Sequence, residues 1–318
     1  MFSTLTKRDQ LLEEELEKFL IEEGYRLEEG QKREVLKTLK GWLKPSVEGK
    51  GWVKTKDCSF TFVDQNYGEP YHSITAGAIT ECIEKFIEPS DLLQKVEREK
   101  LIAVVDVGFG LGYNTAVLIK KLRDINKKVN IQILSFEKTL LEEVLPPPEE
   151  YRPYWRMLWD NLPEFEKEGI GFKLLLGDAR EKVQEVKDFQ ADAIFHDAFS
   201  PYKNPELWSL DFLKRVTSFL KPEGVWVSYT SSLAVRKALK ILGFNLQNTK
   251  AVGRRSGGTK AGKKIEQNLS DADLRKLNTS PYAVPFLDPN LNRKPIYILM
   301  DYALKVVYNR KKHKEVVP

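Results

Sequence analysis

A glycine-rich segment is the first candidate for ligand binding in this chain. It reads Val104-Val-Asp-Val-Gly-Phe-Gly-Leu-Gly112 and ends an apolar run. Alternating glycines allow a tight turn and close approach to a ligand, and a helix that begins there offers unpaired N–H groups. A dinucleotide fingerprint would read G-x-G-x-x-G, and a phosphate loop would need Gly-Lys-Ser/Thr. Alternating glycines preceded by Asp106 favour instead a cofactor that carries an amino acid group.

Acidic residues follow the next two apolar runs of the chain. Glu137 can accept both hydrogen bonds of a ribose diol, although a solvated surface glutamate is the alternative. Asp178, in the pair Gly177-Asp178, can accept from the amine of an adenine or can cap a helix, and the sequence leaves both roles open.

The segment from Phe195 to Trp208 combines an acid with aromatic and polar side chains. Asp197 follows an apolar run directly, and the carboxyl ends of parallel strands are where open α/β sheets bind ligands. The flat rings of Phe199 and Tyr202 can stack on a base, and Lys203 and Asn204 can hydrogen-bond to it. Asn204 could also cap a helix that begins at Pro205. We expect His196 to be a core or supporting residue.

The elements that must position these residues alternate between strands and helices from residue 101 onward, which is typical of a parallel sheet built from βαβ units. The predicted strands are Leu101–Val107, Ile131–Phe136, Phe172–Leu176, Asp192–Asp197 and Val225–Thr230. The predicted helices are Tyr113–Arg123, Pro205–Leu220 and Ser231–Leu242. We expect residues 96–318 to form this domain, with an insertion around 142–171 that lies over the carboxyl edge of the sheet.

The first 95 residues follow a different pattern and predict a small α+β attachment, 1–95. Apolar residues recur at helical spacing in Lys7–Ile21 and, more weakly, in Glu29–Leu43. Trp52–Val63 alternates as a hairpin would, and Tyr67–Tyr71 is typical of a turn.

Composition excludes several classes of protein. No signal-like segment or long apolar run is present, so we expect a cytoplasmic protein with no membrane partner. The few cysteines and histidines show no metal-ligand spacing, so we expect no metal. The net charge is only +5, but nine basic residues and no acid lie between residues 236 and 264, and a second basic run covers 310–314. These segments predict phosphate contacts, with a solvated lysine-rich face as the alternative.

With these motifs in place, the chain resembles the methyltransferase module of the MnmC family, which completes the 5-methylaminomethyl group on the wobble uridine of certain tRNAs. The resemblance runs from about Ser59 to the C-terminus and rests most strongly on the segment from His196 to Trp208. It also rests on Tyr71-His-Ser73 with Gly77 and Glu81, on the glycine loop, on Glu137 and on Gly177-Asp178. It implies a Rossmann-like fold with a mostly parallel, seven-stranded sheet, and S-adenosylmethionine as cofactor.

The resemblance also implies residue roles. Asp197 would lie beside the reacting amine as the catalytic residue, and Tyr71, Ser73, Gly77 and Glu81 would border the cofactor. The candidate cofactor-binding residues are Tyr71, Ser73, Gly77, Glu81, Asp106, Gly108, Phe109, Gly110, Gly112, Asn114, Glu137, Gly177, Asp178, Asp197 and Ala198. The candidate substrate-binding residues are Phe199, Tyr202, Lys203, Asn204, Arg254 and Arg255.

We therefore expect a stand-alone, monomeric methyltransferase that converts 5-aminomethyl-(2-thio)uridine in tRNA to its methylaminomethyl form. The better-known family members continue into an FAD-dependent oxidase, whereas no second dinucleotide motif is present here, so we expect no oxidation. Three alternatives stay open: a small-molecule N-methyltransferase, an aminopropyltransferase similar to spermidine synthase, and a non-catalytic tRNA-binding protein. The first would not need the basic segment, the second would want more acids around its amine, and the third would leave Asp197 without a purpose.

Overall fold

The computed structural model describes residues 7–253 and 257–316 of the chain. Its strands are β1 (Gly51–Lys54), β2 (Phe60–Asp64), β3 (Glu69–Pro70), β4 (Leu101–Val107), β5 (Asn130–Glu137), β6 (Glu164–Lys167), β7 (Ile170–Leu176), β8 (Ala191–His196), β9 (Leu220–Ser228), β10 (Asn245–Asn248) and β11 (Thr259–Gly262). Its α-helices are α1 (Lys7–Glu22), α2 (Glu29–Trp42), α3 (Ala78–Glu81), α4 (Leu92–Lys95), α5 (Tyr113–Ile125), α6 (Arg152–Trp159), α7 (Ala179–Glu185), α8 (Leu210–Thr217), α9 (Leu233–Ile241), α10 (Asp271–Thr279) and α11 (Pro295–Val316). A π-helical turn continues α3 over Cys82–Ile87, and a 3₁₀ turn covers Pro205–Trp208.

The main sheet has the spatial order β10-β11-β9-β8-β4-β5-β7-β6. The five strands from β9 to β7 run parallel to one another. The middle strand, β4, is buried along its length apart from Leu101, as expected for a strand covered on both faces. After β4, the chain adds β5 and β7 on one side of it and then crosses over to add β8 and β9 on the other side. The strand order of the sheet therefore reverses between β4 and β8. Ligands of open α/β sheets bind at such a reversal, beyond the carboxyl ends of the strands.

The predicted α/β fold is confirmed, but the described sheet has eight strands where seven were expected. One strand of the predicted insertion, β6, pairs antiparallel with β7 and forms an edge of the sheet. The helix before it, α6, lies against the glycine loop, since the indole N–H groups of Trp155 and Trp159 both donate to the carbonyl of Leu111 (2.9 and 3.3 Å). The irregular, aromatic-rich sequence of the predicted insertion therefore contains a regular edge strand.

The first residues of the described chain form α1 and α2, followed by a separate antiparallel sheet in the order β1-β2-β3. Both helices pack against α11, a 22-residue helix that the sequence analysis did not predict. Buried residues of α1 and α2 belong to the same apolar core as the main sheet. The division into residues 1–95 and 96–318 stays a prediction. None of the helices in the described ranges combines the length and apolar character needed to cross a bilayer.

Candidate active site

A cavity of about 660 Å³ lies over the carboxyl ends of β8, β4, β5 and β7. The turn between β2 and β3 and the segment that follows β3 form its opposite wall. Its volume falls within the range of small-molecule sites. Ten of the candidate cofactor-binding residues line it: Tyr71, Ser73, Glu81, Gly108, Gly110, Glu137, Gly177, Asp178, Asp197 and Ala198. The predicted strand ends therefore converge on one site.

The glycine loop reaches this cavity through Gly108 and Gly110, both of which have positive φ (+96° and +54°). A Cβ on Gly108 would lie 2.7 Å from the backbone oxygen of Asp197, and one on Gly110 would lie 2.8 Å from the ring of Tyr71. No side chain can be added at either position without displacing a wall of the cavity. The spacing of the glycines thus lets β4, β8 and Tyr71 come together around the ligand space.

Glu137 ends β5 and joins the glycine loop to the cavity. Its carboxylate accepts from the backbone N–H of Gly110 (2.8 Å) and from that of Lys138 (2.7 Å). Burial raises the pKa of Glu137, and these backbone hydrogen bonds oppose the rise. The carboxylate is thereby fixed in the wall at the point where a ribose diol was expected.

Asp197 follows β8, and its side chain is only 6% exposed. Its Oδ2 accepts from Nδ2 of Asn114 (2.7 Å) and lies 3.9 Å from Nδ1 of His72. Asn114 is buried on α5 and does not line the cavity, so the structure gives it a positioning contact with Asp197. His196, the residue before Asp197, is fully buried against tryptophans, and burial lowers its pKa to about 3. The prediction that His196 is a core residue agrees with this placement.

The block around Tyr71 forms the wall opposite the glycine loop. The backbone N–H of Ser73 donates to Oε2 of Glu81 (2.7 Å), and Nδ1 of His72 lies 3.7 Å from the same oxygen. Gly77 does not line the cavity but precedes α3, where an added Cβ would meet the carboxylate of Asp57. Burial alone would raise the pKa of Asp57, but hydrogen bonds from neighbouring hydroxyl and N–H groups outweigh it and lower the pKa to about 2. Gly77 therefore affects this wall indirectly, because the absence of a side chain there leaves room for Asp57.

Asp178 fills the helix-cap role that the sequence left open. Its side chain accepts from the backbone N–H of Arg180 at the start of α7. The guanidinium of Arg180 also donates to both carboxylate oxygens, with a shortest distance of 2.7 Å. A second bond from Arg180 reaches the fully buried Asp288 (2.9 Å). Asp178 thus lines the cavity, and its carboxylate is ion-paired with Arg180 and fixed in position by it.

Besides Asn114 and Gly77, three further residues expected at the cofactor lie outside the cavity lining. Asp106 is buried below the loop, where Thr115 donates to it (3.0 Å) and burial raises its pKa to about 7. The ring of Phe109 points into the core and packs against Trp159. Gly112 is the residue before α5. Because side chains alternate along a strand and its turn, only part of a ligand-binding loop can face the ligand.

The predicted substrate residues separate into two groups. Phe199 and Asn204 line the cavity, and the Phe199 ring is stacked on Tyr67 with centroids 4.1 Å apart. Tyr202 does not reach it, because its ring is stacked on Trp42 of α2 (4.6 Å). Lys203 also lies away from the lining and donates to the carbonyl of Lys44 (2.7 Å). Arg254 and Arg255 lie outside the described residues.

Within the described part of the acid-free segment 236–264, several basic side chains make tertiary contacts, and the phosphate contacts expected from its sequence stay a prediction. Arg236 is 3% exposed and is bonded to Thr259 and Asn248. Three of its lysines pair with acids from distant parts of the chain: Lys250 with Glu84, Lys260 with Asp91, and Lys264 with Glu223. Basic residues of a segment without acids can still pair with acids elsewhere in the chain, which sequence spacing does not show.

Several cavity residues were missed because their local patterns looked structural. Tyr67 and Glu69 belong to a predicted turn, His72 to the motif Tyr71-His-Ser73, and Glu206 to a predicted helix. Glu69 accepts from the backbone and hydroxyl of Ser200 (2.8 and 2.5 Å) and so ties the turn to the segment after β8. The signal for His72 was its place between two predicted ligand residues.

A family model described as S-adenosyl-L-methionine-dependent methyltransferase matches residues 149–264. The crystal structure of MnmC2 from Aquifex aeolicus is 46% identical, covers 94% of this chain and 99% of that chain, and superposes with a TM-score of 0.90. An uncharacterized protein of Methanocaldococcus jannaschii is 30% identical over 78% of this chain and 70% of its own length.

The tRNA 5-methylaminomethyl-2-thiouridine biosynthesis bifunctional protein MnmC of Leptospira interrogans is 24% identical over 74% of this chain. The chain spans only 36% of that relative's length. These matches confirm the predicted resemblance to the methyltransferase part of MnmC. The chain belongs to the family of S-adenosylmethionine-dependent methyltransferases that includes MnmC2 of Aquifex aeolicus.

Proposed function

We propose that this protein methylates the primary amine of 5-aminomethyl-(2-thio)uridine at the wobble position of tRNA. One observation carries the proposal: the buried Asp197 carboxylate lines the same cavity as the glycine loop and a stacked pair of aromatic rings. An amine held there would have a carboxylate on one side and the cofactor space on the other.

The cavity fits S-adenosylmethionine in size and in the chemistry of its walls. Gly108 and Gly110 provide backbone beside the ligand space, Glu137 offers a carboxylate to a ribose, and Ser73 and Glu81 are polar groups for an amino acid end. Nδ1 of His72 is buried without a hydrogen-bond partner in the described chain, so this wall has an unused polar group. When bound, the cofactor supplies an electrophilic methyl group.

Asp197 would orient the amine and accept its proton. An alkyl amine is mostly protonated at neutral pH, and a nearby carboxylate favours that unreactive form by charge alone. Asp197 can therefore help only as a hydrogen-bond and proton acceptor that leaves the nitrogen lone pair directed at the cofactor space. The bond from Asn114 holds one carboxylate oxygen in place, and this fixed geometry supplies the alignment that the reaction needs.

Phe199 and Tyr67 would hold the base. Their rings are parallel within 17°, and Tyr71 packs edge-on against Phe199. Aromatic faces of this kind stack on the unpaired bases of RNA loops. Further ring contacts join Tyr71 to Phe62 on β2, and Phe62 to Trp52 on β1. These rings lead out of the cavity along the small sheet.

The outer face of that sheet would bind the RNA backbone. Trp52 and Lys54 share this face with Phe62, while the opposite face carries the buried Thr61 and Val63. Lys50, Lys54 and Lys56 are exposed, and no ion pair joins them to an acid elsewhere in the described ranges. Exposed lysines beside half-buried rings form a surface suited to a nucleic-acid strand.

Replacing both Lys54 and Lys56 by Gln should weaken tRNA binding and lower the slope of affinity against salt concentration by roughly 1 to 2. Lys127 and Lys128 are a matched control, since they are exposed in the turn before β5, at the amino ends of the parallel strands of the main sheet and away from the cavity at their carboxyl ends. Filter binding across a salt series measures both pairs. An unchanged slope in the Lys54/Lys56 variant would rule out this surface.

The proposal itself is tested by incubating the protein with labelled methyl donor and tRNA that either carries or lacks the aminomethyl group. We expect label only in the tRNA that carries the amine. Equal labelling of both tRNAs would contradict the proposal, and labelling of free amines in place of tRNA would indicate a small-molecule enzyme.

A further inference from the structure

Glu206 is a buried acid that the mechanism above does not use. It lies in the 3₁₀ turn after β8, lines the cavity and is only 6% exposed. Its Oε1 accepts from Nδ2 of Asn204 (2.7 Å), whereas its Oε2 is buried and has no hydrogen-bond partner in the described chain. A buried carboxylate oxygen in a ligand cavity without a donor is a strong sign that the ligand supplies one.

The surroundings of Glu206 show which part of a ligand could do so. Burial raises the pKa of Glu206, and a hydrogen bond from its own backbone N–H, followed by the nearby charges of Arg180 and Lys138, opposes the rise. Arg180 belongs to the start of α7, and Lys138 follows Glu137 at the end of β5. Glu206 therefore lies toward the part of the cavity formed by the ends of β5 and β7.

Asp178, the residue first considered for this role, has its acceptor capacity largely taken. Both of its oxygens accept from Arg180, and one also caps α7. The apolar neighbours Ala179 and Leu207 line the same region of the cavity. This end of the cavity thus combines apolar walls with one unsatisfied acceptor, which suits a flat heterocycle that bears an exocyclic amine.

We propose that Glu206 accepts a hydrogen bond from the 6-amino group of the cofactor's adenine and sets the specificity of this site for adenine over bases with a 6-oxo group. Asn204 is the positioning residue, since it holds the other carboxylate oxygen. The inference depends on the cofactor assigned to the family and not on the tRNA substrate proposed above, so each can fail without the other.

The test is calorimetric and needs no RNA. Dissociation constants of S-adenosylhomocysteine and S-inosylhomocysteine are measured for the wild type and for the Glu206→Gln, Asp178→Asn and Glu137→Gln variants. The wild type should bind the adenosyl ligand about 30-fold or more tightly, because an inosine carbonyl leaves Oε2 unpaired and repels it. In Glu206→Gln this ratio should fall to a few-fold, because an amide can face either group.

The two control variants separate Glu206 from its neighbours. Glu137→Gln should weaken both ligands by a similar factor, and Asp178→Asn should keep the wild-type ratio. A wild type that binds both ligands equally would overturn the proposal, even if Glu206→Gln fails to fold. A ratio kept in Glu206→Gln but lost in Asp178→Asn would overturn it and assign the amine to Asp178.

Discussion

The Asp197 carboxylate has three kinds of neighbour. An amide donates to it from Asn114, the imidazole of His72 lies 3.9 Å away, and the thiol of Cys82 is buried close by. Burial, and next the charge of Asp197, raise the pKa of the Cys82 thiol well above its usual value, so that thiol stays protonated. The local environment thus holds one carboxylate beside an amide and a protonated thiol, neither of which can accept the substrate proton.

Replacing Asp197 by Asn keeps the size of the side chain and an oxygen that Asn114 can bond, but removes the proton acceptor. Turnover of aminomethyl tRNA should fall by roughly 10²- to 10⁴-fold, while cofactor affinity should change little. Single-turnover kinetics and calorimetry measure the two quantities. Asp188→Asn, at an exposed loop position, is the control. Normal turnover in Asp197→Asn would remove Asp197 from the mechanism.

At the scale of elements, an aromatic cluster joins the segment after β8 to the helices at both ends of the described chain. Tyr202 stacks on Trp42 of α2 and lies near Tyr302 of α11 and Phe286. The hydroxyl of Tyr302 donates to the carbonyl of Tyr282, and Arg310 packs on the Tyr282 ring. The peripheral helices therefore support the segment that carries Phe199 and Asn204.

Because Tyr202 packs in this cluster, Tyr202→Ala should lower the free energy of unfolding by about 2 to 4 kcal/mol. Tyr308, which lies on α11 and is 67% exposed, is the control, and its replacement by Ala should cost no more than about 0.5 kcal/mol. Denaturant unfolding measures both. Full stability of Tyr202→Ala combined with weakened tRNA binding would restore Tyr202 to the substrate site.

The elements also show how far the sequence can predict this site. The βα units were predictable because strands such as Leu101–Val107 are continuous apolar runs that end in glycine or acid, and each ends at the cavity. The C-terminal helix α11 was not, because its apolar residues are spread around the helix and its basic end looked like a phosphate-binding tail. For the same reason the sequence could not predict that Tyr202 lies outside the cavity, since its partners Tyr302 and Phe286 lie in a segment without predicted elements. Ion pairs such as Lys260 with Asp91 join residues far apart in the chain, and no local pattern reports them.

For the molecule as a whole, Asp106 links folding to pH. Burial raises its pKa to about 7, while Thr115 and Ser135 oppose the rise and the charge of Glu137 adds to it. The folded chain thus holds a proton that the unfolded chain, with an ordinary pKa near 3.8, releases. This proton stabilises the fold fully below about pH 4, and its contribution is lost as pH rises through 7.

The variant Asp106→Asn cannot titrate and keeps an oxygen for Thr115. Between pH 5 and pH 8 the wild type should lose about 2 to 3 kcal/mol of stability relative to this variant, which is the linkage expected from such a pKa difference. Urea unfolding of both proteins at several pH values measures the difference. Parallel pH curves would show that Asp106 is ionised throughout.

The central claim is that this molecule brings a methyl donor and an exocyclic amine of tRNA together at Asp197. The most direct measurement is mass spectrometry of the nucleosides from tRNA that has been incubated with the protein and a methyl-deuterated donor. The account predicts deuterated 5-methylaminomethyl-(2-thio)uridine at the wobble position as the labelled nucleoside. Label on a different nucleoside, on the uracil ring or on a ribose would contradict it.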